Sequence, residues 1–152
     1  MILPDLLRHR AAEDPDAVAL RVGDAEALAY GEWEARSNAA ARGLVTWGIE
    51  PGNRVALVFG NEAWAGYAVC YLAVLKAGAV AVPLGSRFSG PELDAVLAHS
   101  GASCVVRAAG RLEADQPTEE FQVAVAPDDL AEILYTSGTT CLLYTSPSPR
   151  DS

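Results

Sequence analysis

Lysine, cysteine and long apolar runs are scarce in this sequence, and each shortage argues against a class of protein. Lys76 is the only lysine, and eleven scattered basic residues face twenty acidic ones, for a formal net charge of −9. A surface this acidic repels phosphate backbones and anionic lipid heads, so we expect no nucleic-acid partner and no membrane-surface site. Cys70, Cys104 and Cys141 are too few and too far apart for a disulfide framework or a zinc site.

A membrane anchor and a secretion signal are also missing from the pattern. The longest apolar stretch, Ala63 to Leu75, is shorter than the roughly 20 residues that a membrane crossing needs, so it predicts a buried helix. Residues 1–16 show neither a basic start nor a long apolar centre with a small-residue cleavage site. We therefore expect a cytoplasmic location.

What the chain does contain is the composition of a globular domain, with 51% hydrophobic and 20% charged residues. Pro4 suits the first turn of a helix that ends before Pro15. Residues 17–22 and 27–30 then predict two strands of a hairpin.

A second helix is predicted over residues 31–48. Trp33 and Trp47 recur near helical spacing, and Gly48 supplies a left-handed end. Because two tryptophans on one helix face usually pack into a core, we expect both to be buried.

From residue 54 onward strands and helices alternate. Strands are predicted at 54–59, 79–84 and 103–107, with helices at 61–78 and 89–101. Ser89 and Glu92 have the spacing of a capping box for the second of these helices. The strands are nearly continuous Val and Ala, which indicates an α/β fold with a parallel sheet and helices on its faces.

The rest of the chain leads to a polar loop. Residues 108–120 are predicted to be a solvated connection, and residues 121–125 a short strand. Residues 130–136 predict another strand, which delivers the loop at its carboxyl end. In open α/β sheets, ligands collect beyond the carboxyl ends of strands.

That loop has the composition of an anion site. It consists of Thr136, Ser137, Gly138, Thr139 and Thr140. The glycine lets consecutive backbone N–H groups point into one concavity, and the hydroxyls add donors, which suits a polyphosphate with its Mg²⁺. The same residue types also form ordinary turns, so the loop alone is a weak signal.

Three separated stretches strengthen the prediction of a phosphate site, because each resembles a segment of the adenylate-forming (AMP-binding) enzymes. Residues 28–44 and 75–93 resemble two early segments of that family, and residues 130–140 resemble the start of its phosphate-binding signature. The resemblance runs from about residue 3 to residue 140. It implies that the chain is the N-terminal portion of the large adenylate-forming domain, with an incomplete α/β fold.

The resemblance implies a function of acyl-CoA synthetase type. The family joins a carboxylic acid, here expected to be a fatty acid, to AMP from ATP and then transfers it to coenzyme A. Thr136 to Thr140 match the loop that grips the β- and γ-phosphates, while no catalytic residue and no metal ligand is assigned within the chain. Lys76 is expected at a helix C-terminus for dipole reasons, and His9 and His99 at the surface or in capping roles.

The match to the family stops between Thr140 and Cys141. The family continues with glycines and a lysine, whereas Cys141 to Asp151 resemble one reading frame of a widely used transposase sequencing adapter. A duplicated phosphate loop is excluded, because Pro147 and Pro149 remove backbone donors. We expect residues 1–140 to be native and residues 141–152 to be a non-native, adapter-derived tail.

Two other functions stay open. A peptide-synthetase adenylation domain would activate an amino acid for a carrier protein, and a non-catalytic module would only bind a nucleotide. The sequence after residue 140 of the uninterrupted gene separates these possibilities. The sequence does not indicate the identity of the acid or the oligomeric state.

Overall fold

The computed structural model describes residues 2–23, 26–88, 90–124, 129–135 and 142–147. The helices are α1 (Leu3–Glu13), α2 (Tyr30–Thr46), α3 (Trp64–Lys76), α4 (Gly90–Ser100) and α5 (Gly110–Glu113). The strands are β1 (Val18–Val22), β2 (Glu26–Ala29), β3 (Arg54–Phe59), β4 (Val80–Gly85), β5 (Ala102–Val106), β6 (Leu130–Tyr135) and β7 (Leu142–Pro147). A 3₁₀ turn over Asn61–Ala63 precedes α3. Within the described ranges, no helix is both long and apolar enough to cross a membrane.

The strands form a two-stranded and a five-stranded sheet. β1 and β2 pair antiparallel as the predicted hairpin. The larger sheet has the order β5-β3-β4-β6-β7, in which the first four strands are parallel and β7 runs antiparallel to β6. The predicted α/β fold with a parallel sheet is therefore confirmed.

Alternation along the strands divides the core between the two faces of the larger sheet. Val55 and Leu57 of β3 point to what we call the first face, which α2, α3 and α5 cover. Ala56 and Val58 point to the second face, where Leu93 and Val96 of α4 pack. Near-continuous apolar strands are the expected result of covering both faces with helices.

A buried polar cluster joins the two longest helices of the first face. Lys76, at the end of α3, is 1% exposed, and its Nζ lies 2.7 Å from Glu34 Oε1 and 2.7 Å from Ser37 Oγ. Asn38 Oδ1 accepts a third hydrogen bond from Nζ at 2.8 Å. Burial lowers the pKa of Lys76, and the Glu34 carboxylate opposes that shift. The predicted place at a helix C-terminus is confirmed, but the charge is paired inside the core.

The segment predicted as a solvated connection is partly folded into the core. Residues 108–120 contain α5, and its Leu112 is fully buried against the first face. Arg36 of α2 donates two 3.0 Å hydrogen bonds to Glu113, one to each carboxylate oxygen, and this contact raises the pKa of Arg36. The prediction was wrong here because a single leucine within a polar stretch is enough to dock a helical turn.

The strand predicted over residues 121–125 is also wrong for its described part. Residues 121–124 are not in a strand but run beside α2 and α3. The backbone N–H of Val123 donates to the Lys76 carbonyl oxygen at 2.7 Å, and the Arg42 guanidinium lies 5.1 Å from the ring centroid of Phe121. Contacts with helices therefore replace strand pairing for these apolar residues.

The two tryptophans have different environments. Trp33 is partly buried against the first-face core, and its Nε1 donates to the Ala68 carbonyl oxygen at 2.9 Å. Trp47 is 46% exposed, and it lies one residue past the end of α2 at Thr46. The core prediction for Trp47 was wrong. Ser89, one half of the predicted capping box, lies outside the described residues.

Candidate functional site

Three parallel strands end side by side at one edge of the larger sheet. Phe59, the last residue of β3, pairs with Gly85, the last residue of β4. Ala81 of β4 pairs with Glu132 of β6, and continuing that register places Leu84 level with Tyr135. The carboxyl ends of β3, β4 and β6 therefore meet at the edge where α/β proteins bind ligands.

The connections that leave this edge open a crevice between β3 and β4. The chain leaving β3 enters α3 on the first face, whereas the chain leaving β4 enters α4 on the second face. Adjacent strands whose connections diverge in this way leave a gap at their carboxyl ends.

Two cavities occupy the crevice. One of about 290 Å³ has mainly apolar and aromatic walls, formed by Phe59, Gly60, Asn61, Trp64, Tyr67, Pro83, Leu84 and Gly85. The other, of about 430 Å³, shares part of that wall and adds Glu62, Ser86 and Arg87. A pocket with apolar walls and a few polar groups at its rim is the usual form of a small-molecule site.

A row of aromatic rings connects the crevice with β6. The ring centroids of Phe59 and Tyr67 are 6.0 Å apart, as are those of Tyr67 and Tyr71. The Tyr71 hydroxyl donates to Glu132 Oε2 at 3.0 Å. Burial, with the nearby Glu132 charge, raises the pKa of both tyrosines, so both hydroxyls stay protonated at neutral pH.

The predicted phosphate loop follows this strand directly. Its residues, Thr136, Ser137, Gly138, Thr139 and Thr140, lie outside the described residues. The strand predicted over residues 130–136 is confirmed for its described part as β6 (Leu130–Tyr135). The structure therefore describes β6, which leads to the loop, and the crevice beside which β6 ends.

Sequence reasoning did not identify the crevice residues or the contact between Tyr71 and Glu132. The sequence signal for the aromatic row is the spacing of Tyr67 and Tyr71, which are four apart and so share a helix face. Glu132 is an acidic residue inside a predicted buried strand, and such a residue needs a polar partner. Neither signal names the partner, which lies 61 positions away.

The other residues considered from the sequence lie away from this edge. His9 is exposed, with its Nε2 3.5 Å from Glu13 Oε1, and His99 is exposed on α4, which confirms their predicted surface positions. Cys70 is fully buried, and burial raises its pKa to about 12. Within the described ranges, no group of three or more His, Cys, Asp or Glu side chains could hold a metal ion.

Known proteins of two kinds are similar to this chain. A feruloyl-CoA synthase from an Amycolatopsis species is 39% identical over 150 residues, which span 87% of this chain and 30% of that protein. The nonribosomal peptide synthetase flvI of Aspergillus flavus is 33% identical over 154 residues, 91% of this chain and 14% of that protein. The structure of a fatty acyl CoA synthetase from Mycobacterium tuberculosis is 27% identical, with a TM-score of 0.76 over 90% of this chain and 33% of that one.

The chain thus spans less than a third of the length of the feruloyl-CoA synthase. The pattern of the AMP-binding enzyme family matches residues 7–125, a range that contains the hairpin, α2, α3, α4 and the first three strands of the parallel sheet. Sequence pattern and fold agree, and the chain belongs to the AMP-binding enzyme family.

Proposed function

We propose that this chain is part of an ATP-dependent acyl-CoA synthetase that activates a carboxylic acid, with fatty acids as the substrate class. The acid carboxylate attacks the α-phosphate of ATP, forming an acyl-adenylate and releasing pyrophosphate. The thiol of coenzyme A then displaces AMP. The observation that carries the proposal is that β6, which precedes the hydroxyl-rich loop, ends beside the crevice at the carboxyl edge of the sheet.

In this proposal Thr136, Ser137, Gly138, Thr139 and Thr140 bind the β- and γ-phosphates of ATP. Backbone N–H groups and hydroxyls held in place favour the negative charge of the triphosphate and of the departing pyrophosphate. Mg²⁺ enters with ATP as part of the substrate. A cytoplasmic location belongs to the proposal because the reaction consumes ATP and coenzyme A.

The test is carboxylate-dependent exchange of labelled pyrophosphate into ATP, using the intact protein encoded by the uninterrupted gene. We expect exchange with a panel of fatty acids or with ferulate, followed by thioester formation on adding coenzyme A. Thr139→Ala and Thr140→Ala should reduce exchange, whereas Thr118→Ala, a threonine away from this edge, should not. Exchange with none of the acids would contradict the proposal.

The second candidate is the amino-acid-activating adenylation domain of a peptide synthetase. The 33% identity to the peptide synthetase of Aspergillus flavus favours it. The same assay separates the two, because this candidate requires exchange with an amino acid and transfer to a carrier protein instead of coenzyme A. A non-catalytic nucleotide-binding module would bind ATP without exchange.

We also propose that residues 1–140 form the N-terminal portion of the native domain and that residues 141–152 are foreign. The antiparallel pairing of β7 with β6 does not test this, because a strand edge can pair with any extended segment through backbone groups. Long-read sequencing of the gene decides the matter, and codons for residues 141–151 in the intact chromosome would contradict it. We expect the 152-residue chain by itself to show no pyrophosphate exchange.

A further inference from the structure

The side chain of Tyr71 connects α3 with β6 shortly before β6 reaches the carboxyl edge. Its hydroxyl donates to Glu132 Oε2 at 3.0 Å, and both side chains are partly buried. Glu132 precedes the first residue of the predicted phosphate loop by four positions, which is roughly 13 Å along an extended strand. The contact therefore acts on the last described part of the chain before that loop.

The helix that carries Tyr71 is a rigid support. α3 lies between the sheet and α2, and Val69, Cys70, Ala73 and Val74 of this helix are buried in the first-face core. The Tyr71 ring also packs against Tyr67, whose centroid is 6.0 Å away. A hydroxyl held by such a helix has little freedom, so the carboxylate that it binds is held as well.

We propose that Tyr71 is a positioning residue for ATP: by binding Glu132, it holds the end of β6 where the phosphate loop can meet the triphosphate. This inference rests on the proposed role of residues 136–140. An anion site depends on donors that are held within about 0.5 Å of their productive positions, and a support of this kind supplies that placement. Tyr71 touches neither substrate nor reacting atoms in this account.

The test measures MgATP affinity of the intact protein by calorimetric titration, together with its melting temperature. Tyr71→Phe removes the donor and keeps the ring, and we expect the Kd for MgATP to rise about fivefold, the equivalent of one ordinary hydrogen bond. Glu132→Ala should raise the Kd for MgATP by a similar factor. The double variant should bind MgATP no more weakly than either single variant. Glu132→Gln keeps an acceptor oxygen for the Tyr71 hydroxyl, so its Kd for MgATP should stay near the wild-type value.

Tyr30→Phe is the matched control, because it also removes one tyrosine hydroxyl from a helix but lies under Arg10 at the start of α2. It should leave the Kd unchanged. A Tyr71→Phe protein with unchanged Kd and a lower melting temperature would show a merely structural role and overturn the inference. Wild-type protein that binds MgATP without exchange would contradict the synthetase proposal alone, and failure to bind MgATP at all would overturn both.

Discussion

The two faces of the larger sheet are covered in different ways. The first face carries two layers of helix, because α3 packs on the strands and is itself covered by α2, with α5 beside it. Among the described residues, the helix packed on the second face is α4, whose outer side is exposed. Both faces have apolar cores, but they differ in their buried polar residues. The helices of the first face bury Ser37, Asn38 and Lys76, whereas the helix of the second face buries Ser100.

The difference shows what a second layer of helix demands. A helix with one free side can direct its charged side chains to water, as α4 does with the exposed Asp94. α3 has no such side at its C-terminus, so the Lys76 ammonium must find its partners inside the protein. Burying a charge costs free energy unless it is paired and hydrogen-bonded, and Glu34, Ser37 and Asn38 of α2 meet that requirement.

The largest expected effect comes from breaking that buried cluster. Lys76→Met keeps the volume but leaves the Glu34 carboxylate without its cation, and should lower the free energy of unfolding by about 3–5 kcal/mol. Urea unfolding of the intact protein measures it. Ser100→Ala is the comparison on the second face, where the hydroxyl donates to the Leu97 carbonyl oxygen at 3.3 Å, and should cost about 1 kcal/mol. Equal losses would show that the two faces do not differ.

A smaller effect is expected where α2 meets α5. A Cβ at Gly43 would overlap the backbone carbonyl of Leu112, so Gly43→Ala should cost about 1–3 kcal/mol. At Gly110, the first residue of α5, a Cβ meets nothing within 4 Å, and Gly110→Ala should be neutral or slightly stabilising. The same urea measurement applies. A neutral Gly43→Ala would mean that the two helices can separate without cost.

The buried thiol of the first face predicts a pH dependence. The pKa of Cys70 is raised from 9.0 to about 12, so its contribution to stability is complete below pH 9 and is lost as the pH rises towards 12. At pH 10 the loss is about 1 kcal/mol, because the unfolded chain releases the proton and the folded chain keeps it. Between pH 8 and pH 10, the free energy of unfolding of Cys70→Ala should therefore fall by that amount less than the free energy of unfolding of the wild type. Cys104→Ala, at a half-buried position, should alter the pH change less.

The smallest expected effect is the difference in stability loss between one valine of each face. Val74→Ala in α3 and Val96→Ala in α4 both remove two methyl groups from fully buried side chains. The Val74 site is enclosed by helix and sheet and can relax less, so we expect it to cost about 0.5–1 kcal/mol more. Thermal unfolding of the two variants side by side is the measurement. A larger loss at Val96 would reverse the ranking of the faces.

Much of the fold could be predicted from the sequence, because it depends on local patterns. Apolar runs of Val and Ala located β3, β4 and β5, and Gly48 marked the end of α2 close to where the structure has it. The errors arose where a distant contact outweighed the local pattern. Leu112 docks on α2 despite its polar neighbours, and residues 121–124 bind helices although they are apolar enough for a strand.

The candidate site was predictable only in part for the same reason. The hydroxyl-rich loop is contiguous, so its composition is visible in one stretch of sequence. The crevice and the contact between Tyr71 and Glu132 join residues from separate elements, and no local pattern specifies such pairs.

The family, the alternation of strands and helices, and the order of the three characteristic segments were all determined by the sequence itself. Local propensity and spacing are properties of neighbouring residues, and they can be read without coordinates. Tertiary structure alone decided which side chains share the first face, how the charge of the single lysine is paired, and that β6 ends beside the crevice. These features depend on chain crossings that bring together residues dozens of positions apart, and packing in three dimensions selects them.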